Sequence, residues 1–344
     1  MSQLFNKSFK TGAVMALGLL LGGCDRSAST VPAEGVKSAA SAVPARPCAS
    51  LPPDAQVYVP AGRFSMGDTV FPSEGPIRTE STRGFWIDSH EVTNGQFARF
   101  VAATAYVTVA ERKPDPELYP DQAPESLVPG SAVFKLRDRE QALANIVSAW
   151  WAFVPGAYWR APEGPGTSIE GRDNFPVIHL GLKDAQAYAR WAGRRLPTEI
   201  EWEWAARSAD SNSLIDHEQP SEANTWQGLF PIKDLAIDGY AGLAPVGCFK
   251  PNKLGLHDMI GNVWEWTSDP YHEIRHSRFK AGEKGDDPMQ PGIPVATIKG
   301  GSFLCAPNYC MRYRPGARHG QDRELGASHV GFRTVSDQPA PAGH

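Results

Sequence analysis

The sequence has few cysteines and no long apolar segment. Only five of its 344 residues are cysteine, namely Cys24, Cys48, Cys248, Cys305 and Cys310. No CxxC pair or clustered Cys/His set is present, which argues against a structural zinc site because such a site prefers four nitrogen or sulfur ligands. The apolar stretch near the amino terminus, residues 13–21, is too short to span a bilayer of about 30 Å as a helix.

An excess of positive charge is also lacking. The chain has 34 Lys and Arg against 38 Asp and Glu, a net charge of −4, so we expect no nucleic-acid partner, which would need a basic face. Apolar residues make up 41% and charged residues 21%, as in an ordinary globular protein. There is no internal repeat, and we predict one folded domain over residues 54–337 followed by a tail over 338–344.

The amino terminus has the pattern of a targeting segment. Lys7 and Lys10 precede the apolar stretch, which ends in Leu21-Gly22-Gly23-Cys24. This run resembles a bacterial lipobox, which implies a signal peptide over 1–23, cleavage before Cys24, and lipidation of its thiol. An ordinary secretory signal with a chance cysteine is the alternative.

Residues 24–53 are rich in Ala, Ser and Pro and are predicted to be a flexible tether. The protein is therefore expected in the bacterial cell envelope, anchored to the membrane and facing the periplasm. Asp25 resembles an inner-membrane retention signal. Disulfides persist in that compartment, and the four remaining thiols allow three pairings that sequence cannot separate. A Cys48–Cys248 bridge is one hypothesis, and a free buried Cys248 is the other.

Three helices are predicted from capping patterns. Thr93 with Gln96 and Thr198 with Glu201 match the capping box, and a third helix over 184–191 stops at Gly193. Beyond residue 208 helical periodicity disappears. Short strands and Gly/Pro loops, such as 228–242, remain.

Cys305 and Cys310 follow Gly300-Gly301-Ser302 in a stretch dense in arginine and aromatic residues. The residues alone leave three roles open: a small structural disulfide, a soft-metal site or a redox-active dithiol. Thiolates select Cu(I) over hard cations. Nearby positive charge is expected to lower the thiolate pKa values; the arginines concerned are Arg312, Arg314 and Arg318.

Seven ordered segments now point to one family. They include Ser65-Met66-Gly67, residues 87–94 (IDSHEVTN), 176–180, 191–203 (WAGRRLPTEIEWE), 224–228, 255–266 (GLHDMIGNVWEW) and 329–333. In this order and spacing they resemble the formylglycine-generating enzyme (sulfatase-modifying factor) family over residues 56–335. The resemblance implies a mixed α/β fold that is poor in regular secondary structure and related to C-type lectin-like folds.

The resemblance also implies an activity: oxidation by O2 of a cysteine in a sulfatase-type Cys-x-Pro-x-Arg motif to Cα-formylglycine. The substrate would be an exported sulfatase-type polypeptide bound as an extended peptide. Competent members carry two cysteines five positions apart after Gly-Gly-Ser, as here, whereas relatives with other chemistry usually lack one or both. Two alternatives remain, a non-catalytic binding or scaffold module with a structural Cys305–Cys310 disulfide and a family member that oxidises another substrate.

The family's site residues carry over as follows. Cys305 and Cys310 would hold copper, with Ser302 near the reacting sulfur and Trp264 on the O2 side. One structural calcium site would comprise Asn224, Asp238 and the carbonyls of Thr225 and Tyr240. The second would comprise Asp258, Glu265 and the carbonyls of Gly261 and Val263, and Glu91 matches a further calcium-assigned acid. If calcium is absent, these carboxylates are caps and solvated turns.

Two further features qualify this prediction. Between the cysteines the chain has Ala306-Pro307-Asn308 where other members carry a His and an Arg, which is expected to change peptide preference without removing the copper ligands. His272-Glu273-Ile274-Arg275-His276 spells HExxH, the zincin signature, but the flanking Pro and Gly disfavour the helix it needs. The tryptophan pairs are predicted to be mainly core, with Trp150-Trp151 as a candidate groove lining.

Overall fold

A computed structural model of the chain describes residues 47–341 except 137, 145, 213–215, 276–278 and 281. The predicted signal peptide, Cys24 and most of the tether lie outside these residues. The helices are α1 (Asn94–Thr104), α2 (Arg139–Leu143), α3 (Leu182–Trp191) and α4 (Glu199–Ala206), with 3-10 turns at Pro72–Glu74, Val109–Glu111, Pro116–Leu118 and Val147–Ala149. The strands are β1 (Gln56–Val59), β2 (Gly62–Met66), β3 (Arg78–Thr82), β4 (Phe85–Asp88), β5 (Gly130–Phe134), β6 (Trp151–Pro155), β7 (Gly228–Leu229), β8 (Lys233–Asp234), β9 (Trp264–Pro270), β10 (Val295–Lys299), β11 (Arg318–Asp322), β12 (Val330–Gly331) and β13 (Val335–Ser336).

Two small sheets form the framework. One has the order β1-β4-β13, with Ile87 paired to Val57 on one side and to Val335 on the other. The other has the order β11-β10-β9-β12, antiparallel except for the β9–β12 pair, where Trp264 lies opposite Val330. Three separate hairpins, β2–β3, β5–β6 and β7–β8, complete the strands. The first and last strands of the domain therefore share a sheet.

The helix predictions are confirmed by their caps. Thr93 Oγ1 accepts from the backbone N–H of Gln96, and Gln96 Oε1 accepts from that of Thr93. Thr198 and Glu201 form the same box at the start of α4, and such caps stabilise a helix by about 1 kcal/mol. The third helix begins at Leu182, two residues before the predicted start. The short α2 was not predicted, and within the described residues no α-helix follows Ala206.

The core has two main apolar clusters. The larger joins α1 and α3 to β9, β10 and the cysteine loop, and it includes Trp150, Trp264 and Cys305. The smaller lies under α4 and the β1-β4-β13 sheet. Trp150, Trp151 and Trp159 are each less than 5% exposed. The tryptophan pairs are thus core, and the groove-lining alternative is wrong.

A disulfide joins Cys48 to Cys248, with the Cα atoms 3.8 Å apart. It ties the amino-terminal end of the described chain to a loop 200 residues away. The bridged alternative for these two thiols is therefore the one that the structure shows. In the part of the chain that the structure describes, no helix is long and apolar enough to cross a membrane.

Candidate active site

The cysteine loop starts where β10 ends. Lys299 is the last residue of that strand, and Gly300 and Gly301 follow with φ of +97° and +76°. A Cβ on Gly301 would lie 2.7 Å from the carbonyl oxygen of Arg312. Glycine is therefore required there, both for the left-handed backbone and for the close approach. This turn directs Ser302 into the interior, where it is fully buried.

Ser302 and Trp226 fix the backbone of Cys305. The Ser302 carbonyl accepts from the N–H of Cys305 at 2.9 Å, and the Trp226 N–H donates to the Cys305 carbonyl at 3.1 Å. The Ser302 hydroxyl accepts from the N–H of Leu304. Cys305 is 1% exposed, so both its main chain and its side chain are held in the core.

Cys310 lies opposite Cys305 across a tight turn. Ala306 and Tyr309 exchange backbone hydrogen bonds of 2.8 and 3.0 Å, which brings the two cysteine Cα atoms to 5.0 Å in a disulfide. Cys310 and Met311 have φ of +77° and +49°, a region that non-glycine residues rarely adopt. Cys310 is only half-buried, so one residue of the pair lies in the core and the other lies nearer the surface.

Aromatic rings enclose the turn. The Tyr309 ring stacks on Phe230 at 4.1 Å with an interplanar angle of 6°, and its edge meets Trp150 at 6.1 Å. Burial raises the pKa of Tyr309, so its phenol stays protonated at neutral pH. Trp264 belongs to the same buried cluster, and its ring lies 6.1 Å from that of His319. Of the predicted active-site residues, the structure thus gathers Ser302, Cys305, Cys310 and Trp264 around one core.

Two of the three neighbouring arginines are buried in ion pairs with carboxylates. Arg314 is buried in ion pairs with Glu74 and Asp68, and Arg318 is buried against Glu199 at 2.9 Å. These carboxylates offset the charge of Arg314 and Arg318, and the expected lowering of the thiolate pKa values stays a prediction. Arg312 instead lies over the ring of Phe71 at 4.1 Å.

The first predicted calcium site is an ordered loop. Asp238 is buried, and its two carboxylate oxygens accept from the N–H groups of Thr225 and Tyr240, each at 3.1 Å. Asn224 donates to the carbonyl of Gly242 and to Oδ1 of Asn262. The four predicted ligand residues are therefore neighbours. Their side chains already make the hydrogen bonds that cap such a loop.

The second predicted calcium site contains more negative charge than positive. Burial raises the pKa of Glu91, and repulsion from Asp258 and Glu265 adds to the effect while Arg333 opposes it. Burial likewise raises the pKa of Asp258 to about 6. Oε2 of Glu91 is buried and has no hydrogen-bond partner among the described residues. Three carboxylates thus share one buried guanidinium, and one of their oxygens is unsatisfied.

Glu265 differs from Glu91 in that both of its carboxylate oxygens are hydrogen-bonded. Both of its oxygens accept from Arg333 at 2.7 Å, and Oε2 also accepts from the indole N–H of Trp202 at 2.7 Å. Among the described residues, no three His, Cys, Asp or Glu side chains converge closely enough to hold a metal. Any cation at either site would therefore need the backbone carbonyls that the prediction includes.

The described part of the HExxH run, residues 272–275, is not helical. His272 forms ion-pair contacts with Glu283 and Asp286, and residues 273 and 274 form a bend instead of a helix. Arg275 is buried against Glu199, while His276 lies outside the described residues. The described residues of the run therefore lack the helix that the zincin signature needs.

Comparison with known proteins tests the family resemblance. The model of the sulfatase-modifying factor enzyme 1-like domain matches residues 41–338. A formylglycine-generating enzyme of Mycobacterium tuberculosis is 48% identical over 82% of this chain and 97% of that protein, and one of Mus musculus is 41% identical over 82% and 74%. The chain belongs to the sulfatase-modifying factor enzyme 1-like family.

Two other matches indicate that family membership establishes the fold but not the activity. A Mus musculus protein named inactive C-alpha-formylglycine-generating enzyme 2 is 36% identical over 83% of this chain and 87% of its own. The solved structure of PvdO from Pseudomonas aeruginosa aligns with a TM-score of 0.53 at 24% identity, covering 81% of this chain and 93% of that one. The fold class predicted from the sequence is confirmed, and activity has to be argued from the site.

The family member described here departs from the expected pattern between its cysteines, and the structure gives that departure a role. Asn308 makes two hydrogen bonds to the backbone of Phe230, the residue whose ring stacks on Tyr309. Sequence reasoning missed Phe230 and Trp226. Trp226 lies in the family segment 224–228, but no feature of the neighbouring sequence linked either residue to the cysteine loop about 80 positions away.

Proposed function

We propose that this chain is a formylglycine-generating enzyme, which oxidises a cysteine in a Cys-x-Pro-x-Arg motif of an exported sulfatase-type polypeptide with O2. The observation that carries the proposal is the Cys305–Cys310 pair, five positions apart, joined in the structure and divided between core and surface. Relatives at 48% and 41% identity bear that name. The substrate would bind as an extended peptide on the Cys310 side.

The donor set of the pair fits copper. When reduced, the pair offers two soft thiolates and no hard ligand, which favours Cu(I). Bound copper would supply a centre at which a substrate thiolate and O2 meet. The chain's own contribution is preorganisation: Ser302 and Trp226 fix the main chain of Cys305, so the backbone that carries its thiol is already held in place before the disulfide is opened.

The surrounding side chains give this pocket its properties. Trp264 and the stacked Tyr309–Phe230 pair exclude water from the core side. The phenol of Tyr309, whose pKa is raised by burial, stays protonated at neutral pH and can serve as a hydrogen-bond donor. The Ser302 hydroxyl, buried at the base of the loop, can orient the reacting sulfur.

Electron balance gives the reaction a further requirement. Conversion of –CH2–SH to –CHO releases the sulfur as sulfide and removes two electrons. Full reduction of O2 takes four, with one oxygen retained in the aldehyde and one leaving as water. Two more electrons and two protons must come from a reductant, such as a pair of thiols. The same reductant would open the Cys305–Cys310 disulfide.

Calcium fits the second site and would brace the cysteine loop. The three carboxyl groups and the unsatisfied oxygen of Glu91 favour a cation there, because ionising all three without one would leave a buried uncompensated charge, which is costly. The backbone of this site is bonded directly to the active loop: Gly261 donates to the Gly300 carbonyl, and Phe303 donates to the Asn262 carbonyl, each at 3.0 Å. Asn262 also donates to the carbonyl of Asn224 in the first site at 2.8 Å.

Anchoring through Cys24 would place this reaction at the membrane surface of the bacterial cell envelope. There the enzyme would meet its substrate after export and before folding buries the motif cysteine. This part of the proposal depends on the lipobox alone. Growth in labelled palmitate, with Cys24→Ser as the comparison, tests it: label retained in the variant would contradict it.

The activity is tested with the full chain, reduced with a dithiol, loaded with Cu(I) and given a Cys-x-Pro-x-Arg peptide in air. An aminooxy probe should capture an aldehyde on the peptide. Cys310→Ser should abolish the product, and a peptide with serine for cysteine should give none. Ser50→Ala, at an exposed position, is the matched control and should retain full activity.

A scaffold module is the second candidate, since the two thiols are joined in the structure and one relative is named inactive. It predicts a disulfide that resists dithiol, and no aldehyde after copper loading. Aldehyde formation that requires both cysteines would exclude it. Aldehyde only on peptides with another motif would support a family member with a different substrate.

A further inference from the structure

The amino-terminal strap, defined here as residues 48–53, is fastened to the domain at three points. The Cys48–Cys248 disulfide is the first. The N–H of Ala49 donates to the carbonyl of Gly247 at 2.9 Å, and the Gln96 side chain donates to the carbonyl of Pro53. Leu51 packs against Gly247: a Cβ on Gly247 would lie only 2.6 Å from Cδ1 of Leu51.

Gly247 links the strap to the second predicted calcium site. Its N–H donates to Oδ2 of Asp258 at 2.7 Å, while its carbonyl accepts from the strap. It stands next to Cys248 with φ of +76°, so its orientation depends on how the disulfide holds that corner. A predicted calcium ligand is therefore only one residue and one hydrogen bond away from the disulfide.

Tyr240 links the same disulfide to the first predicted calcium site. Its hydroxyl lies 3.5 Å from Sγ of Cys48, and its ring contacts that of Phe249, the neighbour of Cys248. Its N–H donates to Asp238, and its carbonyl is one of the predicted ligands. The disulfide is thus connected to the loops of both predicted calcium sites, although these loops are separate in the sequence.

We propose that the Cys48–Cys248 disulfide is a positioning element for both calcium sites, so that calcium binding and the redox state of this disulfide are coupled. The inference rests on the calcium sites of the proposed function. It adds a role for a cysteine pair that takes no part in the oxidation. By linkage, the factor by which the disulfide strengthens calcium binding equals the factor by which calcium favours the disulfide.

The redox step is a thiol–disulfide exchange. A dithiol attacks the bridge and transfers two electrons and two protons; the products are the Cys48 and Cys248 thiols and the oxidised dithiol. Opening the bridge frees the strap from Cys248 and leaves Gly247 held by weaker contacts. The Gly247 N–H, which now faces Asp258, would then sample other orientations. The carbonyl of Tyr240 would do the same.

Calcium titration of the full chain by calorimetry tests the coupling. Cys48→Ala/Cys248→Ala should weaken calcium binding by about tenfold, within the usual range of coupling energies. Ser50→Ala, on the same strap with the disulfide intact, should bind calcium as the unmodified chain does. Equal affinity in the double variant would overturn the proposal and leave the calcium sites standing.

The reciprocal measurement needs no variant and so does not depend on the double variant folding. The bridge is equilibrated in dithiol buffers with calcium or with chelator, and alkylated peptides containing Cys48 or Cys248 are quantified apart from those of the other pair. A tenfold coupling should lower the reduction potential by about 30 mV in calcium. An unchanged midpoint in a protein that binds calcium contradicts the coupling. Absence of calcium binding in the unmodified chain removes both the sites and this inference, while the aldehyde assay separately decides the activity.

Discussion

Asn308 binds both backbone groups of Phe230: its Oδ1 accepts from the Phe230 N–H at 3.3 Å, and its Nδ2 donates to the Phe230 carbonyl at 2.9 Å. The two residues are 78 positions apart. This contact joins the turn between the cysteines to the loop whose ring covers Tyr309. A residue that departs from the family pattern thus serves as a clamp on the active loop.

The clamp gives a first prediction. Asn308→Ala should cost about 1–2 kcal/mol of unfolding free energy, since a net hydrogen bond contributes about 0.5–1.5 kcal/mol. It should also raise KM for the peptide more than it lowers kcat, because the loop loses order without losing a sulfur. Chemical denaturation and aldehyde kinetics measure the two effects. Asn308→Asp keeps the acceptor and loses the donor, so its stability and KM should lie between those of the unmodified chain and those of Asn308→Ala. An alanine variant with unchanged stability and KM would rule out the clamp.

The different exposure of the two cysteines gives a second prediction. After the disulfide is reduced, iodoacetamide should modify Cys310 faster than Cys305, because Cys310 is half-buried and Cys305 is 1% exposed. Peptide mapping over a time course measures the two rates. Copper should slow both reactions if both thiolates bind it. Faster labelling of Cys305 would reverse the assignment of core and substrate sides.

Local signals carried most of what the sequence could predict. Capping boxes depend on residues three positions apart, so the starts of α1 and α4 could be read directly. The family segments then supplied the fold, because the described chain after Ala206 has only short strands and loops, which give no clear periodicity.

Long-range pairing could not be read in the same way. Glu265 was predicted as a calcium ligand, yet its oxygens bind Arg333, 68 positions away, and Arg314 meets Glu74 across 240 positions. Such buried pairs depend on which loops meet in the fold. Charge in the sequence shows that partners are needed but does not show which carboxylate takes which cation.

Glu91 gives a third prediction. In chelator, Glu91→Gln should be at least as stable as the unmodified chain, because it removes one of three carboxylates that share Arg333. In calcium the order should reverse: the unmodified chain gains about 2.7 kcal/mol at a calcium concentration of 100 Kd, whereas the variant gains less. Thermal unfolding under both conditions measures the crossing. Glu111→Gln, an exposed acid outside both sites, controls for general loss of charge; parallel shifts in all three proteins would argue against a cation at this site.

The buried network at α4 gives the fourth prediction. Glu199 lies 2.9 Å from both Arg275 and Arg318 and 3.7 Å from Lys299. Burial alone would raise its pKa, but the three cations outweigh burial and lower the pKa to about 2. Glu199→Gln leaves those cations undercompensated and should cost about 3–5 kcal/mol, the usual effect of breaking a buried pair.

The sign of the pH dependence follows from the lowered pKa. An unfolded glutamate titrates near pH ~4.3, so folding favours the ionised Glu199 and its contribution is fully present above that pH. The contribution is lost as the pH falls towards 2. The stability difference between the unmodified chain and Glu199→Gln should therefore stay constant from neutral pH to about 5 and shrink below it. Urea titrations across this range measure it. Glu201→Gln, in the same helix but paired with the more exposed Arg195, should cost no more than about 1 kcal/mol, and an equal cost for both variants would contradict the network's role.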